Sequence, residues 1–214
     1  LTHTGVVDVT EDHSLLLKDA TMIKPIEVSL GTELLHGECV NAFDGIGDSN
    51  RVTVQEAKVM GFFFGDGSNG KYTWGLNNAD TMVLEEMQET TMYDTIESSG
   101  ATGDVKKQSL RYRSLFYNQY KEKIVPSCIL GASLDIVKSF FEGYYMADGD
   151  HLYGNTRMDI KGKEGSMGMY ILGRRLGYNV SVNTRTDKPD IFRQTWTISK
   201  QRKNKTAIKK LETM

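Results

Sequence analysis

A nine-residue segment occurs twice in this chain, and its spacing restricts how the chain can pack. Val59-Met60-Gly61-Phe62-Phe63-Phe64-Gly65-Asp66-Gly67 aligns with Phe141-Glu142-Gly143-Tyr144-Tyr145-Met146-Ala147-Asp148-Gly149, 82 residues later. Small residues recur at the third and seventh places, aromatics at the fourth and fifth, and Asp-Gly at the end. Residues four apart lie on one face of a helix, so Gly61 and Gly65 share a face, as do Gly143 and Ala147. Small residues at that interval let two helix backbones approach closely. Packed through these faces, the helices bring Asp66 and Asp148 together at their C-terminal ends. Both the helix dipole and the second carboxylate oppose negative charge there. A divalent cation between the two relieves both costs, so Asp66 and Asp148 are the expected metal ligands. A repeat of this separation fits one structural unit per copy.

An EF-hand calcium loop does not fit the second copy. Asp148 and Asp150 match its first and third ligands, but Tyr153 takes the place of the required glycine and Asp159 that of the closing glutamate.

The local pattern predicts an α+β chain. Val6, Val7 and Val9 favour strand, Ser14–Leu17 continue it, and Lys18-Asp19-Ala20 turn the chain. Pro25 confines its surroundings to an edge or loop. The glycine-rich polar stretch around Phe43–Asn50 reads as a linker, with a domain boundary near Arg51. Thr53 and Glu56 form a predicted capping box before the first repeat helix, which Gly65–Ser68 should stop. A strand over Tyr72–Leu76 and a helix capped by Asp80 follow. In the second cycle Ser133 caps a helix to Ala147. Strands are expected at Thr156–Ile160, Val180–Asn183 and Ile191–Ser199, around a helix from Gly165 to Leu176 whose apolar stripe faces the core. Hence residues 1–50, 51–130 and 131–214 are expected as three units.

Charge is unevenly spread. Residues 1–150 hold 12 Lys+Arg against 23 Asp+Glu, a balance of −11, whereas residues 151–214 hold 14 against 5, a balance of +9. A basic module of this density suits a polyanion partner or pairs with the acidic half; charge alone leaves both open. Two distant cysteines form neither a disulfide framework nor a zinc pattern. No apolar run of roughly eighteen residues predicts a membrane span, and the first residues carry no secretory pattern. An intracellular, non-secreted monomer is expected.

The two copies resemble the paired motifs of single-chain LAGLIDADG homing endonucleases, although Val59 and Phe141 replace the leading leucine. The resemblance covers roughly residues 53–214. It implies a pseudo-twofold fold of two αββαββα halves, with a saddle of strands over double-stranded DNA. It further implies Asp66 and Asp148 as catalytic acids and magnesium ligands in metal-dependent phosphodiester hydrolysis. In that family a basic residue from a strand often stands near each centre, and Lys200 is the candidate in the second half. Arg185, Lys188, Arg193, Arg202, Lys203 and Lys205, in or beside the later strands, are candidate DNA contacts.

The N-terminal piece resembles the Thr-x-x-His block of intein splicing (Hint) domains, with Thr10 and His13 as the residues that assist splicing. Gly31–His36 and Gly177–Pro189 resemble inteins lodged in B-family DNA polymerases of large DNA viruses. Leu1 and Met214 supply neither the initial nucleophile nor the terminal His-Asn that splicing needs, so this chain alone should not splice. Three functions follow as expectations: a DNA endonuclease embedded in an intein, a splicing-protein fragment with a decayed nuclease, or a non-catalytic nucleic-acid binder.

Overall fold

A computed structural model describes residues 2, 4–36, 52–69, 74–76, 111–152, 155–198 and 205–208. Helix and strand are mixed, as an α+β chain. Three short strands come first: β1 (Leu15–Leu16), β2 (Met22–Ile23) and β3 (Glu33–Leu35). Helix α1 (Val54–Asp66) runs directly into β4 (Gly67–Asn69), which pairs with β5 (Trp74–Leu76). After a helical stretch at 111–116 come α2 (Ser127–Leu130) and α3 (Leu134–Asp148). The chain continues as β6 (Asp150–Leu152), β7 (Asn155–Lys161), α4 (Lys163–Arg175), β8 (Asn179–Thr184), β9 (Ile191–Thr197) and β10 (Lys205–Ala207).

The centre of the molecule is the α1–α3 pair. Thr53 caps α1 by accepting from the Glu56 amide at 3.1 Å. The reciprocal half of the expected box is replaced, because the Glu56 carboxylate pairs with Arg111. Ser133 takes the N-cap backbone conformation of α3 but makes no side-chain cap bond. Val59, Met60, Phe62, Phe63, Phe140 and Val137 are fully buried around the pair. Tyr112 and Phe116 of the 111–116 stretch pack on Phe63, with ring centroids 4.7 and 5.0 Å away.

Strands β6-β7-β9-β8 form an antiparallel sheet in that order. Its two faces follow the period of two along each strand. Met158, Ile160, Val180, Val182, Gln194 and Trp196 are buried on one face. Gly173 of α4 leaves room for the Trp196 indole, whose ring stacks on Phe141 at 4.6 Å. Gln194 is satisfied there, donating to Ser166 Oγ at 2.9 Å and accepting from Trp196 Nε1 at 2.9 Å. Arg157, Asp159, Arg193, Thr195 and Ser181 alternate onto the opposite, more open face.

Outside this unit, β10 pairs with β3, and isolated bridges join Thr2 to Ile208 and Leu17 to Leu34. Chain segments on either side of residues 52–198 therefore meet in one small sheet. Residues 205–207, counted with the second half on sequence, lie in that sheet. Asp8 forms an ion pair with Lys163 of α4, and Gly5 lies against Tyr170.

Several expectations differ from the structure. Residues 6–10 are not strand, and Val7 and Val9 are exposed. β-Branched residues form a strand only where a neighbour completes the ladder, and among the described residues none does so here. Pro25–Glu27 form a 3-10 turn with proline at its start. Gly67 does not stop α1 in a left-handed conformation; its φ of −77° and ψ of 150° are extended. Glycine is required there because a Cβ would overlap the Phe63 ring and carbonyl. The boundary near Arg51 and the helix at Asp80 lie outside the described residues.

Candidate active site

Helices α1 and α3 cross with backbone against backbone. A Cβ on Gly61 would overlap the Phe140 carbonyl oxygen and stand 2.7 Å from its carbon. A Cβ on Gly143 would overlap the Lys58 carbonyl oxygen in the same way, with its carbon also at 2.7 Å. Lys58 and Phe140 are 82 residues apart, as are Gly61 and Gly143. The contact is thus repeated by a local twofold. One turn on, a Cβ on Gly65 would lie 2.8 Å from the Ala147 Cβ and 3.4 Å from the Asp148 Cβ.

Asp66 and Asp148 are the last residues of their helices, and the chain turns straight into a strand after each. Gly149 is forced as Gly67 is, because a Cβ would overlap the Tyr145 ring. Burial raises the pKa of both carboxyl groups. At Asp148 the Asp66 and Asp159 charges raise it further, whereas Lys123 opposes the rise at both. The paired acids therefore sit where burial and the helix ends disfavour their charge and Lys123 offsets only part of that cost.

Lys123 stands beside them. Its ammonium donates to the carbonyls of Phe63 at 2.7 Å, Phe64 at 3.2 Å, Gly65 at 3.1 Å and Gly67 at 2.7 Å. Helix geometry leaves carbonyls at this end without intrahelical donors, and the dipole favours a cation. Burial nevertheless draws its pKa down to about 8, opposed by Asp66 and then Asp148. A tight turn delivers it: Tyr117 bridges to Lys123, and Asn118 Oδ1 accepts from the amides of Tyr120 and Glu122. Nothing in the local sequence separates Lys123 from the other basic residues, and it was not among the expected site residues.

A cavity of ≈ 480 Å³ opens beside these groups, lined by Lys121, Lys123, Tyr144, Asp148, Asp159 and Lys161 among others. Tyr144 is 2% exposed, and its hydroxyl interacts with the Asp148 carboxylate, which counters part of the rise in the Asp148 pKa. The Tyr144 pKa is raised, first by burial and then by the Asp148 charge. Sequence offered Tyr144 only as an aromatic of the repeat, opposite Phe62.

Among the described residues no three His, Cys, Asp or Glu side chains cluster as a closed metal cage. Two carboxylates of raised pKa suit magnesium, which keeps several waters and takes one or two carboxylates plus substrate phosphate oxygens. Added magnesium is expected to raise the thermal midpoint at pH 7. A carboxyl of raised folded pKa destabilises the fold above that pKa, and protonation removes the cost as pH falls through it. Protonation also removes the ligand, so the magnesium-induced shift should shrink on acidification. An equal shift at pH 7 and pH 4, measured by scanning calorimetry, would place the ion elsewhere.

The expected DNA contacts divide. Arg185 and Arg193 stand at the open face of the sheet, held by carboxylates: Arg193 by Asp159, and Arg185 by Asp159 and Asp187. Lys188 is exposed in the β8–β9 connection. Lys205 lies on β10, beside β3 and not in the four-stranded sheet. Lys200, Arg202 and Lys203 fall outside the described residues. Arg157, not expected from sequence, faces Thr195 across the ladder and pairs with Asp150 at 2.6 Å.

Thr10 and His13 occupy an exposed turn. The Thr10 hydroxyl donates to Asp12 at 2.6 Å, and the His13 amide donates to the Thr10 carbonyl at 3.1 Å. Neither is near the paired acids in any described contact.

This chain is similar to part of a viral DNA polymerase. The relative is a DNA polymerase of Acanthamoeba polyphaga mimivirus, 45% identical over 242 residues. The match covers 100% of this chain but 14% of the polymerase. The chain thus spans a small part of that relative, as an embedded insertion would. No protein-family model matches the chain. Among the described residues no helix is long and apolar enough to cross a membrane.

Proposed function

We propose that this chain contains a LAGLIDADG-type homing endonuclease within an intein of a DNA polymerase, and that it hydrolyses phosphodiester bonds of double-stranded DNA. The observation that carries this reading is the local twofold of α1 and α3, with Asp66 and Asp148 at adjoining helix tips beside Lys123. The order α3-β6-β7-α4-β8-β9 supports it, because it follows the αββαββ sequence expected of a half. Asp66 and Asp148 would hold the magnesium. A bound divalent cation would supply an activated water and neutralise charge on the phosphodiester. Lys123 contributes a fixed positive charge next to the reacting phosphate. The open face of the sheet meets the duplex, with Arg157, Arg185 and Arg193 at its donors.

The test is cleavage of a duplex that joins the polymerase-coding flanks without the insertion, with magnesium and with chelator. Magnesium-dependent breakage at the junction is expected, and an intact duplex under both conditions would refute the assignment. With the Lys123 pKa at about 8, cutting should decline as pH rises through that value. Lys123→Arg, which cannot lose its proton there, should remove that decline. The same alkaline limb in Lys123→Arg would clear Lys123 of the role.

A second reading is a splicing-protein fragment whose nuclease has decayed, and its splicing part rests on a different observation. The strands flanking residues 52–198 pair with each other as β3 and β10, and the match spans 14% of a polymerase. Both are what a nuclease lodged in a splicing domain requires. This reading shares the fold and predicts no cutting.

A further inference from the structure

Arginines on an open sheet face are ordinarily available to a polyanion. Here their donor edges are occupied. Arg193 donates from Nε to Asp159 Oδ1 at 2.7 Å and from Nη2 to Asp159 Oδ2 at 2.7 Å. Arg185 donates from Nη1 to the same Asp159 Oδ2 at 3.1 Å. Its Nε and Nη2 are taken by Asp187 at 3.0 and 2.6 Å. Two carboxylates thus hold two guanidinium forks in the paired geometry with which arginine grips a phosphate.

The placement of Asp159 adds to this. It is the cross-strand partner of Arg193 on β7 and β9, with Asn183 of β8 on the far side of that arginine. It also lines the cavity with Asp148 and Tyr144. The hydrogen bonds from Arg193 hold its carboxyl below the usual carboxylate range. All the groups remain partly exposed, so the bonds are exchangeable at modest cost.

We propose that Asp159 is a specificity-determining residue, a built-in competitor that occupies Arg185 and Arg193 until a duplex displaces it with paired acceptors of its own. A random-sequence duplex offers phosphate oxygens alone and must break the clamp to use either arginine. A target that also presents base acceptors in register across β7, β8 and β9 compensates for the loss. Asp159 thereby lowers non-specific binding more than specific binding. The inference rests on the reading that the sheet meets DNA.

The test compares the parent chain with Asp159→Asn on a random-sequence duplex and on heparin, without divalent metal, across salt concentrations. Asparagine keeps the shape and removes the charge. Freeing Arg193, with Arg185 still held by Asp187, should steepen the dependence of log affinity on log salt by about 0.9, or about threefold in affinity at the lower end of a fourfold salt range. Asp187→Asn, which releases Arg185 from one of its two carboxylates, should give a smaller change of the same sign. In an Arg185→Gln/Arg193→Gln background, Asp159→Asn should bring only the small gain of lost repulsion, well below its effect in the parent, a dependence on the arginines that a purely structural role would not produce. Equal or weaker binding by Asp159→Asn, with an unchanged slope, would overturn the clamp. A gain on heparin with no duplex binding by any variant would leave the clamp standing and overturn the DNA reading instead.

Discussion

Gly61→Ala is expected to destabilise the protein by about 3 kcal/mol or more, at the upper end of what overpacking costs. The added Cβ would overlap the Phe140 carbonyl and stand 2.9 Å from the Tyr144 amide nitrogen, and both are backbone atoms of α3. A flexible side chain can rotate away from a methyl group, but a helix backbone cannot. The helices must separate, and the aromatic layer around Phe62, Phe63 and Phe140 separates with them. For a chain of this size the thermal midpoint should fall by about 6–12 °C. Gly143→Ala should act alike, through the Lys58 carbonyl. The double variant should cost less than the sum, because one separation relieves both contacts. Gly75→Ala serves as the control, since among the described residues a Cβ there meets only the Ser68 hydroxyl oxygen at 3.8 Å. A Gly61→Ala midpoint no lower than that of the control would contradict the close approach.

Asp66→Asn and Asp148→Asn should each reduce duplex cleavage by a factor on the order of 10³, given several kcal/mol of charge stabilisation from a correctly held metal. Binding of the uncut duplex in chelator should remain, since the proposed DNA contacts lie on the sheet and not at the acids. The stability of the metal-free protein should rise in both variants. Burial raises both carboxyl pKa values, and the neighbouring Asp66 charge raises that of Asp148 further. Removing either charge therefore relieves an unfavourable site. Activity and stability then move in opposite directions, whereas residues that serve only the fold lower both. Cleavage by both variants at the parental rate would exclude the paired acids from the chemistry.

The helix pair was legible because its determinants are local. Four-residue spacing of Gly61 with Gly65 and of Gly143 with Ala147 sets one smooth face per helix, and helix geometry alone places the acids at the tips. The strands of the sheet were legible for a similar reason. Their β-branched and aromatic runs alternate at a period of two, and β7, β8 and β9 fall within a residue or two of expectation at the ends given by their pairing. Val7 and Val9 carry the same composition and form no strand, since a ladder needs a partner that composition does not supply. Arg185 and Arg193 were legible as sheet cations but not as clamped ones. Arg193 and Asp159 are 34 residues apart, and only the β7–β9 register sets them face to face.

The sequence by itself determined two matched helices, their smooth faces, their acidic ends and the alternation of the later strands. These follow from the fixed rise and turn of the backbone, which every chain shares. Tertiary structure alone decided that Lys123 caps α1 from 56 to 60 residues away, and that Asp159 holds two arginines across strands. A lysine or an aspartate carries no mark of its partner. Its role is set by which charges and carbonyls the folded chain brings within about 3 Å.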